Sequence, residues 1–346
     1  MPARSSRLAT WVLAGAPFLL LVLVPLALCT GLFRGCTNGH SRAHGHGDIS
    51  FEISQAGDMI VFNAAGQGQL DLYVLRLGDL SVTRVAATPE YETTPSFTPD
   101  GESVVYAAGV PGDRADHIFI RSLDGTTVRQ LTRADANDSS PRVSRDGSHV
   151  VFDRDKTYNW GGLAANWDRG GVICVIGIDG KNERQLTSDD ALAYDPWFLP
   201  DDKTVGYSTP SGIYAVPLDG SSSPKLVVDV GRPYEVTPSR DGKFLAYTRG
   251  QYSGSQELLV ANADGSGERR IAAKIGPYCR PQFSPTGDQL YFCNEEWPDG
   301  PTGSPQFSLW RIDIDGTNLR KIASAQLFDQ PLQWQPEAVS DRSQSE

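Results

Sequence analysis

Short apolar runs, each broken by a turn, recur along the chain with a period of 40 to 55 residues. In the clearest copy Pro95 and Phe97 stand two apart, on one side of an extended segment. Pro99, Asp100 and Gly101 supply turn chemistry: proline presets φ, Asp bonds its own backbone, and Gly accepts the positive φ that closes a bulged hairpin. Val104, Val105 and Tyr106 then suit a return strand. The phrase returns at 141–147 before Val150, Val151 and Phe152, and at 281–287 before Leu290, Tyr291 and Phe292. Weaker copies end at Gly57, Asp202 and Gly242.

A second turn follows in each unit: Gly78 with Asp79 in the first, then Asp-Gly at 124, 179, 219, 264 and 315. One unit is therefore four antiparallel strands, a to d. A lone sheet of this kind leaves a face and two edges exposed, whereas radial repetition buries the faces against each other. The period predicts an all-β, six-bladed β-propeller of four-stranded antiparallel blades. A partial seventh copy at 331–336, with Trp334 at the phenylalanine position, reads as a strand sealing the ring beside the first blade, or as a frayed tail.

Residues 8–33 are nearly uncharged and follow Arg4 and Arg7. The run exceeds the ~20 residues that span a bilayer. It predicts one N-terminal transmembrane or signal helix, with the N-terminus inside and the propeller outside. A cleaved signal peptide is the rival, which would make the protein secreted. The organisation expected is a signal-anchor or signal peptide at 1–34, a flexible tether at 35–47, the propeller at 48–337 and a polar tail at 338–346. The propeller then lies in the periplasm or outside the cell. A net charge of −11 excludes the basic footprint of a nucleic-acid binder. Cys279 and Cys293 flank one hairpin of the sixth unit, and export makes a disulfide there reasonable. Two independent thiols are the alternative.

The Pro-Asp-Gly phrases with a second turn in each unit resemble the TolB-like propeller family, whose repeats are relatives of WD repeats. The resemblance covers about residues 48 to 337, the propeller part only. It implies a six-bladed propeller, commonly extracytoplasmic and commonly bound to other proteins. Members that give the family its name carry an α/β domain ahead of the propeller.

The b–c connections are long in units three and six, half a ring apart, and hold Tyr158, Trp160, Trp167 and Trp297. Aromatic residues on long loops anchor partners, or else cover their own blades. The d–a connectors carry Glu92, Asp138, Asp195, Glu235 and Asp329, with Arg280 in the sixth unit. At the channel mouth such oxygens hold Ca²⁺ or a basic peptide terminus, or else cap turn amides. No cofactor is required by any motif, and neither Gly-x-Ser-x-Gly nor His-Glu-x-x-His occurs. The function expected is a monomeric module binding an envelope protein or peptide, or a carbohydrate, through its b–c and d–a loop face; the alternative is a carbohydrate-active or other hydrolytic propeller using channel-mouth carboxylates.

Overall fold

The strands fall into six antiparallel sheets taken in chain order, five of four strands and the last of five, each with its strands hydrogen-bonded in sequence. The computed structural model describes residues 50–66, 69–86, 88–113, 115–156, 171–250, 256–275, 280–296, 306–326 and 335–336. Every regular element among the described residues is a strand, and none is a helix long and apolar enough to cross a membrane. The expected N-terminal helix lies outside the described residues.

The inner strands a are Phe51–Ile53, Glu92–Phe97, Asn137–Val143, Tyr194–Phe198, Tyr234–Pro238 and Gln282–Phe283. Each b strand buries both of its faces, which is why these strands read as unbroken apolar runs. In blade two, Val104 and Tyr106 pack on blade one while Val105 and Ala107 pack on blade three. The core is thus six clusters, one at each blade interface. Transfer of such side chains from water gives roughly 1.5–3 kcal/mol each.

The recurrent phrase has a physical explanation. The turn aspartate accepts hydrogen bonds from its own turn, as Asp100 does from the Glu102 amide at 3.0 Å and the Thr98 hydroxyl at 2.6 Å. The turn glycine takes φ near +75° and, where the preceding blade's turn carries a proline, abuts it. A Cβ on Gly57 would stand 2.5 Å from Pro285 Cγ, and one on Gly242 2.5 Å from Pro200 Cγ. In the fourth unit Asp202 takes the glycine position, at φ 51°.

Ring closure differs from the sequence expectation. Gln335–Pro336 pairs with Ser324 and Ala323 on the outermost strand of blade six, rather than beside blade one. The reason is that Phe51–Ile53 already supplies strand a of blade one, so no inner position is left open. The ring instead closes through side chains: Phe51, Phe62 and Tyr73 of blade one pack with Cys293, Leu309 and Ala323 of blade six.

Candidate functional site

Aligning the blades on Ile53, Phe97, Val143, Phe198, Pro238 and Phe283 resolves the channel wall into layers. One residue earlier stand Glu52, Ser96, Arg142, Trp197, Thr237 and Gln282, one from each blade, and all six line a cavity of about 200 Å³. Three residues earlier stand Thr94, Ser140, Asp195, Glu235 and Arg280. The first four of these adopt φ of 49°, 51°, 47° and 56°. Each sits at a one-residue register shift between strands a and b. Such bulges in the left-handed region cost energy for a residue with a Cβ and recur where backbone must be re-aimed.

The bulges knit neighbouring blades together. The Ser140 amide donates to Thr94 Oγ1 at 3.2 Å, and the Asp195 amide to Asp153 Oδ2 at 3.2 Å. The Phe97 amide donates to Glu52 Oε1 at 3.1 Å. Two ion pairs span non-adjacent blades: Arg280 Nη2 to Asp195 Oδ1 at 3.2 Å, and Arg142 Nε to Glu52 Oε2 at 3.8 Å. Burial and the nearby Arg280 charge pull the Arg142 guanidinium down to about 10. Burial pushes Glu52 up despite Arg142. Burial, reinforced by the charge of Asp195, pushes Asp153 up to about 6.

The acidic set expected at the channel mouth divides in two. Asp195, Glu235 and Arg280 share one position on the wall. Glu92 and Asp138 lie two residues before the bulge and are fully buried. Asp138 receives a bidentate bond from Arg154, at 2.6 and 2.9 Å, and Arg154 also reaches Glu183. Burial works against the charged Arg154, but these carboxylates outweigh it and raise its pKa. Glu92 has no such partner: its Oε1 accepts the Thr88 amide at 2.9 Å, its Oε2 has no partner, and burial pushes it up to about 7. Asp329, Tyr158, Trp160, Trp167, Trp297 and Cys279 lie outside the described residues. Cys293 is buried in the interface of blades six and one. Among the described residues no three His, Cys, Asp or Glu side chains cluster as a metal site.

Sequence reasoning missed Glu52, Arg142 and Asp153. The signal was available in the repeat: reading the copies as columns, rather than picking acids from connectors, isolates the layer that contains Glu52 and Arg142.

A six-bladed propeller whose channel is crossed by ion pairs is the class these features define. No protein-family model matches the chain. It is 23% identical over 227 residues to the Tol-Pal system protein TolB of Francisella tularensis subsp. mediasiatica, covering 63% of this chain and 49% of that protein. The chain therefore spans about half the length of the curated relatives it matches. The structure of TolB from Acinetobacter baumannii superposes with a TM-score of 0.58 at 18% identity, covering 78% of this chain and 61% of that one. A TolB from Agrobacterium tumefaciens gives 0.57 at 20% identity, covering 73% and 88%. An oligogalacturonate lyase in complex with manganese gives 0.53 at 14% identity, covering 80% and 78%. In fold, the chain is similar to the TolB-like six-bladed β-propellers.

Proposed function

We propose that the chain is a membrane-tethered, extracytoplasmic propeller that binds an envelope protein or peptide through the face bearing its b–c and d–a connections. The observation that carries this reading is the mixed-charge wall of Asp195, Glu235 and Arg280 at that end of the channel. In blades three and six strand b ends and strand c begins on that same side. The relatives named for the Tol-Pal system support an envelope partner. The apolar run at 8–33 supports the tether and the periplasmic placement. Within this reading Asp195 and Glu235 are the carboxylates that would hold Ca²⁺ at the mouth, and D195A/E235A should abolish a Ca²⁺-induced rise in melting temperature. The test of the main proposal is capture from an envelope extract by the intact chain. A specific partner should be retained and then lost when Trp160, Trp167 and Trp297 are changed together to Ala. Capture unaffected by that triple change would refute the assignment of the face.

A second reading, a carbohydrate-active propeller, is favoured by one observation: Asp153, which accepts the Asp195 amide and lies within range of its charge, is pushed up to about 6 by burial and that charge. Turnover of an acidic oligosaccharide panel, lost in D153N and D195N, would support it. An inert panel would leave the binding reading in place.

A further inference from the structure

The opposite end of the channel, where the a–b turns converge, carries an unassigned feature. The cavity there is walled by Arg142, Arg145 and Arg240 against one carboxylate, Glu52, in a chain of net charge −11. Arg145 and Arg240 have no carboxylate ion-pair partner among the described residues. Arg145 Nη2 bonds the Arg240 carbonyl, and Arg240 Nη1 donates to the Gln55 carbonyl at 3.0 Å. The two guanidiniums are thereby laced across the opening from blades three, five and one. Among the wall residues Arg142 Nη2 is a donor buried without a protein partner, whereas the indole Nε1 of Trp197, also unpartnered, lies against Gly206 inside the blade. The wall is short of acceptors, and an anion supplies them.

The surroundings narrow the kind of anion. Asp100, Asp146, Asp202, Asp241 and Asp288 stand in the a–b turns around this end. Hydrogen bonds from Ser144 and Ser148 hold Asp146 down near 2, and those from Lys243 and Ser239 do the same for Asp241, so these carboxylates are charged at any physiological pH. A basic centre inside an acidic collar repels a polyanion but admits one negative group on a neutral or basic stalk. The apolar part of the wall, including Phe198, Pro200, Phe283 and Pro285, suits the body behind that group. We infer that this end of the channel captures the free C-terminal carboxylate of an extended peptide whose preceding residues are neutral or basic. The site stands apart from the face assigned above and does not rest on that reading.

The experiment immobilises the intact chain and applies N-acetylated hexapeptides, randomised at the last three positions, as free acids or as C-terminal amides. The free-acid pool should be retained about tenfold or more over the amide pool, as expected for a charge-assisted guanidinium contact. R145Q/R240Q should remove that preference while keeping the melting transition. E52Q should raise retention of the free acid, an increase that damage to folding does not produce, so it decides the question even if the double variant unfolds. Equal retention of acid and amide pools would overturn the inference. So would a folded R145Q/R240Q protein that keeps the preference, an E52Q protein with unchanged retention, or competition by galacturonate at the concentration at which the peptide itself competes.

Discussion

Replacing Glu92 by Gln should remove a pH-dependent loss of stability. Glu92 is fully buried beside strand b of blade two; its counterpart Asp138 in blade three is bonded by the Arg154 guanidinium, whereas Arg121 acts on Glu92 only as a weaker nearby charge. At the position where blade three offers Arg154, blade two offers Ala108. Burial therefore lifts the Glu92 pKa from 4.5 to about 7. With the folded pKa above the unfolded one, the native state holds the proton more tightly between these values. The stability this contributes is fully present below pH 4.5 and is lost as pH rises through 7. A shift of about 2.5 units corresponds to roughly 3 kcal/mol as an upper bound. In a ring of this size that is a fall in melting temperature of at most about 5 °C. Glutamine keeps the acceptor for the Thr88 amide and has no charge to lose. Urea or thermal melts of both proteins, at matched ionic strength from pH 4.5 to 8, give the difference in stability. Asp153 titrates in both proteins and cancels in the difference. E92Q should gain on the wild type steadily from pH 5 and level off above pH 7. A constant offset between the two proteins across that range would refute the argument that burial governs this carboxyl.

Three further outcomes follow from the geometry. Gly57→Ala places a Cβ 2.5 Å from Pro285 at φ +76°, whereas Gly220→Ala at φ +72° meets nothing within 4 Å; Gly220→Ala should cost about 1–2 kcal/mol and Gly57→Ala visibly more in denaturant melts, and equal losses would remove the turn-to-turn contact from the account of the repeat. Leu309→Ala, in the interface that closes the ring, should cost about 2–5 kcal/mol, while ending the chain after residue 326 should cost much less; the reverse order of melting temperatures would restore a sealing role to the C-terminal segment. Cys293 is a free buried thiol in the structure, but the bulged register of the other blades opposes the equivalent positions Thr93 and Ala107, Ser139 and Asp153, Tyr194 and Ser208, and Tyr234 and Thr248, and in blade three the two side chains bond directly; we propose that Cys279 and Cys293 pair on oxidation, so alkylation of the denatured, unreduced chain should leave both unlabelled. Reduction should then lower stability by about 3 kcal/mol for a loop of this length, and free labelling of both thiols would reject the pairing.

What the sequence reveals here depends on range. The blade count is legible because the Pro-Asp-Gly turn and the second Asp-Gly turn are local devices whose bonds span two to five residues. The channel wall is not legible in the same way, for two reasons. The bulge at Thr94, Ser140, Asp195 and Glu235 breaks the two-residue alternation, so parity counted back from Phe97 puts Glu92 on the wall when it belongs inside the blade. The ion pairs that cross the channel join residues 85 and 90 positions apart, Arg280 with Asp195 and Arg142 with Glu52, and no local pattern pairs them. The same contrast explains the closure. Trp334 resembles a strand-a aromatic by local pattern, yet strand a of blade one is already supplied by Phe51–Ile53, with Ile53 at the equivalent position, and Phe51 packs in one cluster with Cys293 and Leu309, more than 240 residues away. Local chemistry therefore sets the repeat, and long-range competition for the inner positions decides which copies join the ring and which charges meet inside it.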